Sequence, residues 1–214
     1  MYSNTHKFIF LHFGKCAGSS IKKSLSSVDG LEVKLERGHT DLGAMRKLIK
    51  EDGFDPEQYF QFTCVRNPWD RMVSLYHHMS TVSKRWPNDP KKLKIQFNGT
   101  FEQFANSFNT AVIDYSALDY IMRYESLQCD FDFVCDRLNI EPRKLTCIDY
   151  DTGRPTRDYQ SYYHGNLRQI VAEKYAKDIE YFGYKFVQLK FLYFFCKLGE
   201  TTHLSFMGIG GLLF

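Results

Sequence analysis

Lys15, Ser19 and Ser20 stand in a turn between the apolar run Phe8-Ile9-Phe10-Leu11-His12-Phe13 and a segment carrying Ile21 and Leu25 at helical spacing. With Gly14, Ala17 and Gly18 between them, they are the components of an anion site at a strand-to-helix turn. Small residues let the backbone approach a ligand, and the free N–H groups and dipole of a helix start favour negative charge. The lysine adds a point charge, and the serines add hydroxyl donors. The order departs from the Walker A pattern, in which the lysine follows the second glycine; here Lys15 precedes Gly18, which disfavours an ordinary ATPase or GTPase.

A second segment repeats the arrangement. Arg66-Asn67-Pro68-Trp69-Asp70-Arg71-Met72-Val73-Ser74 follows Tyr59-Phe60-Gln61-Phe62-Thr63-Cys64-Val65, a run rich in aromatic and β-branched residues. Asn67 suits an N-cap, Pro68 the first helical position, and Asp70 complements the dipole. Arg66 thus ends a strand and Ser74 lies in the next helix, where a guanidinium and a hydroxyl can bind the same phosphate oxygens. Each segment alone also reads as ordinary structure: a turn with a solvated lysine, or arginines 66 and 71 paired with Asp70 or other surface carboxylates around a core Trp69. Together they read as two halves of one nucleotide-phosphate site.

The elements that must position these groups are strand 8–13, helix 19–27, a short alternating strand 31–35, a helix from 40 or 41 to 50, strand 59–65 and helix 68–82. This βαβαβα order predicts an α/β fold, a three-layer α/β/α sandwich on a central parallel sheet of the P-loop nucleotide-binding type, with its ligand crevice at the carboxyl ends of the strands. Lys15 follows the first strand, His39 the second and Arg66 the third, so all three converge on one sheet edge. His39, in Gly38-His39-Thr40-Asp41-Leu42, is a candidate proton acceptor near neutral pH, or a capping or surface histidine. By strand alternation His12 shares a face with Phe8 and Phe10 and reads as packed; His77 and His78 lie about one turn beyond Ser74 and carry no assigned role.

Further on, Ser83 to Lys92 is a basic loop bearing Trp86, and Thr100 with Gln103 forms a capping box before Phe101 and Phe104. A strand is expected over 119–125, a helix over 130–138, a loop over 153–158 and a long amphipathic helix over 166–181. The chain of 214 residues has 43% hydrophobic and 25% charged residues and a net charge of +3, enough for one packed domain and too little charge to argue for nucleic acid. Six widely spaced cysteines without a Cys-x-x-Cys pair read as reduced core thiols. No signal segment or apolar stretch of spanning length is visible, which makes a soluble, cytoplasmic chain the simplest expectation.

Lys-Cys-Ala-Gly-Ser-Ser-Ile at 15–21 and Val-Arg-Asn-Pro-Trp-Asp-Arg-Met-Val-Ser-Leu-Tyr-His-His at 65–78 resemble the two cofactor loops of sulfotransferases that use 3′-phosphoadenosine 5′-phosphosulfate (PAPS), specifically the carbohydrate group that includes glycosaminoglycan sulfotransferases and bacterial relatives. The resemblance continues through Arg123-Tyr124-Glu125-Ser126-Leu127, Asp130-Phe131, Tyr175-Ala176-Lys177-Asp178 and Phe182-Gly183-Tyr184, covering residues 6 to 186. It implies that Lys15, Cys16, Ala17, Gly18, Ser19 and Ser20 cradle the 5′-phosphosulfate and that Arg66 and Ser74 hold the 3′-phosphate. It further implies that Lys15 stabilises the bridging oxygen, that His39 is the base toward an acceptor hydroxyl, expected on a carbohydrate, and that Arg157 belongs to a loop closing over the cofactor. No metal is required, because fixed cationic groups can supply the charge stabilisation. The family-like domain is expected over 1–186, with 187–214 a C-terminal apolar extension of unknown role in which nothing catalytic is read. Golgi members of the family carry a membrane anchor, so a Golgi lumenal location is expected if an anchor precedes this chain. The competing reading is a nucleotide-binding protein without sulfuryl transfer. A kinase-like phosphotransferase is opposed by the Walker order, and an inactive sensor by the presence of a base.

Overall fold

The structure, a computed structural model, describes residues 1–34, 41–85, 88–89, 96–109, 114–145 and 154–187. Strands β1 (Tyr2–Ser3), β2 (Phe8–Leu11), β3 (Phe60–Val65) and β4 (Tyr120–Arg123) form one sheet in the order β1-β2-β3-β4. Strands β2, β3 and β4 are parallel, with Phe10 opposite Phe62 and Thr63 opposite Ile121, whereas β1 runs antiparallel along the edge of β2. The helices are α1 (Gly18–Ser26), α2 (Leu42–Glu51), α3 (Pro68–Arg85), α4 (Phe101–Ser107), α5 (Leu127–Arg137), α6 (Leu167–Lys174) and α7 (Ala176–Phe182).

Strand alternation divides the core. Phe8, Phe10, Phe62, Cys64 and Met122 point to one face, where Ile21 and Leu25 of α1 and Phe131 and Val134 of α5 cover them. Ile9 and Leu11 point to the other face, against Met45 and Ile49 of α2. All four positions of β2 are buried, as a strand covered on both faces requires. The result is the three-layer α/β/α arrangement. A further apolar cluster joins Trp69, Met72 and Val73 of α3 to Phe101 and Phe104 of α4 and to Leu167 and Val171 of α6. The capping residues act as their types dictate: Asp41 accepts the Ala44 N–H at 2.9 Å, Asn67 accepts the Trp69 N–H at 3.1 Å, and Thr100 and Gln103 form a reciprocal capping box.

The sheet corrects one expectation. Residues 31–35 do not supply a second parallel strand; Lys34 makes an isolated antiparallel bridge with Tyr2, and residue 35 lies outside the described residues. The alternation is real, since Leu31 is buried while Glu32 and Lys34 are exposed. The edge of β2 is already occupied by β1, however, so the segment has no strand to join there. The chain instead leaves α1 on one face, passes the β1 edge and delivers α2 to the opposite face before entering β3. The inference that His39 follows a second parallel strand therefore falls, and His39 itself lies outside the described residues.

Two further differences have local causes. The helix expected over 166–181 divides at Tyr175, whose backbone (φ −111°, ψ 22°) leaves the helical region and whose ring, 3% exposed, turns inward beside Arg71. Cys16, Cys64 and Cys135 are buried free thiols, but Cys129 is disulfide-bonded, which corrects the reading of all six cysteines as reduced. Cys129 is only half-buried on α5, unlike the core-facing Phe131, Val134 and Cys135, and its partner lies outside the described residues. No helix among the described residues is long and apolar enough to cross a membrane.

Candidate active site

The first loop doubles back between β2 and α1. Lys15 (φ 66°) and Ala17 (φ 58°) both occupy the left-handed region, each at a cost of about 1–2 kcal/mol that the surroundings must offset. The turn is closed by the Cys16 N–H donating to the Phe13 carbonyl at 3.4 Å. Helix α1 begins without a side-chain cap, so the N–H groups of Lys15, Ala17, Gly18 and Ser19 find no acceptor among the described residues. Four free amides beside a lysine and two serines form an anion-binding surface. Ser20 is buried and Ser19 half-buried. Burial pushes the Lys15 ammonium below its usual pKa, and the nearby Arg66 pushes it further in the same direction.

Gly18 is set by a contact rather than by its φ. A Cβ there would lie 1.7 Å from Cδ2 of His12. The His12 ring stacks on Phe10 at 6.4 Å, sharing its face as strand alternation requires, and covers the start of α1.

The second loop presses against the first. Arg66 directs Nε and Nη2 to Oδ2 of Asp70 at 2.8 and 2.7 Å, lies over the Tyr124 ring at 3.9 Å, and donates from Nη1 to the Lys15 carbonyl at 3.1 Å. The other oxygen of Asp70 accepts Nη1 of Arg154 at 2.8 Å. With only 8% of the Arg66 side chain and 16% of Asp70 exposed, this pair is shielded from solvent and its geometry is held firmly. Arg71, the next arginine of the same helix start, donates from Nε to the Gly14 carbonyl at 3.1 Å. Ser74, buried at 7% exposure, lies one helical turn beyond Asp70. Glu125, after β4, accepts the Asn67 N–H at 2.6 Å and the Tyr184 hydroxyl at 3.3 Å; burial raises its pKa despite the Asn67 N–H and the nearby Arg66. The ends of β2, β3 and β4 are thereby tied into one rim.

The structure brings Lys15, Cys16, Ala17, Gly18, Ser19 and Ser20 together with Arg66 and puts Ser74 on the helix that Arg66 precedes. Cys16 is buried within the turn, its thiol directed to the Gly14 carbonyl at 3.7 Å. Arg157 is exposed; the arginine of that loop that enters the charged cluster is Arg154, which also donates to the Arg157 carbonyl at 2.8 Å and the Thr156 carbonyl at 2.7 Å. His39 lies outside the described residues, as do 86–87 and 90–95 of the basic loop and its continuation. His77 pairs through Nε2 with the Tyr162 hydroxyl at 2.8 Å. Burial, aided by Arg154 and Lys84, brings its pKa down to about 4, so its ring is neutral at physiological pH.

The pairing of Arg66 with Asp70 is the one read from the sequence as ordinary structure, whereas Arg71 turns to the Gly14 carbonyl rather than to a carboxylate, and the contacts of Arg154 and Glu125 were not read. The four-residue step from Arg66 to Asp70 was a readable signal of their pairing. Arg154, 84 positions from Asp70, and Arg71, 57 positions from Gly14, offered none.

Comparison with known proteins agrees with this geometry. The sequence model of the sulfotransferase family matches residues 1–185, a span that includes both loops and all four strands. Searches of curated proteins and of solved structures give no match. Cationic loops at the ends of β2 and β3, joined within one matched span of residues 1–185, make the conclusion plain: the chain belongs to the sulfotransferase family.

Proposed function

We propose that this sulfotransferase takes its sulfuryl group from PAPS and delivers it to a hydroxyl of a carbohydrate acceptor. The observation that carries the reading is the contact between Arg66 and the Lys15 carbonyl, which joins two cationic loops into one site with separate anion-binding ends. Such a site suits a donor carrying a phosphosulfate at one end and a phosphate at the other.

The residues divide the work by their chemistry. The free amides of Lys15, Ala17, Gly18 and Ser19, with the hydroxyls of Ser19 and Ser20, hold the 5′-phosphosulfate. Arg66 uses Nε, one Nη2 hydrogen and one Nη1 hydrogen internally, which leaves one N–H on each terminal nitrogen for the 3′-phosphate beside the Ser74 hydroxyl. The Lys15 ammonium stabilises charge developing on the bridging oxygen. The donor, when bound, supplies the activated sulfuryl group. His39 accepts the proton of the attacking hydroxyl, and Arg157 belongs to the loop that closes over the nucleotide.

The thiols support a reading of the compartment. A disulfide at Cys129 favours an oxidising location such as the Golgi lumen over the cytoplasm.

Ligand-dependent melting tests the donor. Adenosine 3′,5′-bisphosphate is expected to raise Tm where ATP does not, and a preference for ATP overturns the reading. His39→Ala is expected to abolish transfer while retaining nucleotide binding; near-normal turnover in that variant removes His39 from the mechanism.

A further inference from the structure

Two guanidinium groups from one helix start hold the carbonyls of two successive residues in the first loop: Arg71 holds Gly14 and Arg66 holds Lys15, each at 3.1 Å. The two contacts differ in kind. Arg66 also pairs with Asp70 and stacks on Tyr124, whereas Arg71 has no ion pair within 4.0 Å among the described residues, and its one hydrogen bond there is the Nε contact to Gly14. Around it lie the Tyr175 ring at 5.8 Å and a small pocket shared with Cys16, Tyr115 and Asp178. The Tyr115 hydroxyl donates to Asp178 at 3.2 Å, so the neighbouring carboxylate is already engaged.

The Gly14–Lys15 peptide is planar and trans, so its C=O and N–H point in opposite directions. Arg71 fixes the C=O; the Lys15 N–H therefore faces the other way, where it has no acceptor among the described residues. The same peptide precedes Lys15, whose left-handed φ of 66° decides where its side chain leaves the loop. We propose that Arg71 is a positioning residue of the donor site: by holding the Gly14 carbonyl it aims the Lys15 amide and side chain at the phosphosulfate end, without touching the donor itself. This rests on the donor reading given above and goes beyond it, because it assigns the second arginine of the Arg66 segment to the first loop's end of the ligand.

The test compares three ligands on the purified chain. Adenosine 5′-phosphosulfate lacks the 3′-phosphate and so reports the first loop alone, while the ratio of affinities for adenosine 3′,5′-bisphosphate and adenosine 5′-monophosphate reports the Arg66 end. Arg71→Met, which keeps length and removes the donor, is expected to weaken adenosine 5′-phosphosulfate about tenfold, the effect of one lost hydrogen bond. The bisphosphate-to-monophosphate ratio should stay within about twofold of the wild type. Amide exchange in the unliganded variant should rise across 15–20 and stay unchanged in β2 and β3, a pattern that general loosening of the fold does not produce. Should Arg71→Met fail to fold, Arg71→Lys carries the same comparison, since it retains the charge but not the planar Nε–H. Unchanged affinity for adenosine 5′-phosphosulfate in the folded variant, or a fall in the bisphosphate-to-monophosphate ratio as large as the loss of adenosine 5′-phosphosulfate, overturns the positioning role while leaving the donor reading intact. A wild-type chain that binds neither adenosine 5′-phosphosulfate nor the bisphosphate overturns both.

Discussion

Arg66 donates a hydrogen bond to the carbonyl of Lys15 at 3.1 Å, across 51 positions of sequence. The contact makes the two cationic loops a single structural unit, so a change at one is expected to be felt at the other. Arg66→Ala removes this bond, leaves Asp70 with Arg154 as its remaining ion-pair partner and uncovers Tyr124. We expect a loss of about 3 kcal/mol, the lower end for a broken buried ion pair because Arg154 stays. In thermal melts this is a fall of roughly 6–12 °C, together with loss of stabilisation by adenosine 3′,5′-bisphosphate. An unchanged melt would remove Arg66 from the framework of the site.

Gly18 and His12 form a matched pair. Gly18→Ala drives a methyl to 1.7 Å from the His12 ring, which must shift or displace the start of α1. The expected cost is about 1–3 kcal/mol, as for overpacking elsewhere, with weaker nucleotide binding. Adding His12→Ser opens the space, so the double variant should bind nucleotide better than Gly18→Ala alone. Strictly additive losses in the double-mutant cycle would show that the two residues do not interact.

The neutral His77 predicts a pH dependence of definite sign. Its folded pKa, about 4, lies below the 6.5 of an unfolded histidine. Between those values the unfolded chain takes up a proton that the folded one does not, so this residue's contribution weakens stability as pH falls from about 6.5 toward 4. His77→Gln keeps a partner for Tyr162 and removes the titration. The wild type should lose about 1 kcal/mol more than the variant over this interval, after discounting for partial solvent screening, or roughly 2–4 °C in Tm. Parallel pH curves for the two proteins would contradict the assignment.

The cysteines separate in a differential alkylation experiment. Under denaturing, non-reducing conditions Cys16, Cys64 and Cys135 are expected to react and Cys129 to resist; after reduction Cys129 should react as well. Labelling of Cys129 without reductant would return the chain to a fully reduced reading and withdraw the argument for an oxidising compartment.

Those parts of the fold written in local pattern were legible from the sequence. The β2 and β3 runs, the Asn67-Pro68 helix start and the Thr100–Gln103 capping box each depend on residues within a few positions of one another. The sheet edge was not legible, because whether residues 31–35 become a strand depends on Tyr2 and Ser3 having already paired with β2. Nor was the break at Tyr175, where burying a ring beside Arg71 outweighs continuity of an otherwise helical sequence. The same division runs through the site. Lys15, Gly18 and Arg66 stand at recognisable strand-to-helix turns, whereas Arg154 reaches Asp70 and Arg71 reaches Gly14 only because the folded chain brings distant segments together.

The central claim is that the two loops form one site for a donor bearing both a 5′- and a 3′-anionic group. Titration calorimetry of the full chain with adenosine 3′,5′-bisphosphate, adenosine 5′-monophosphate and ATP tests it most directly. One site per chain is expected, with the bisphosphate bound at least about a hundredfold tighter than the monophosphate, on the order of two charge-assisted hydrogen bonds to the 3′-phosphate, and ATP weaker than the bisphosphate. Equal affinity for the bisphosphate and monophosphate, or a preference for ATP, would contradict it.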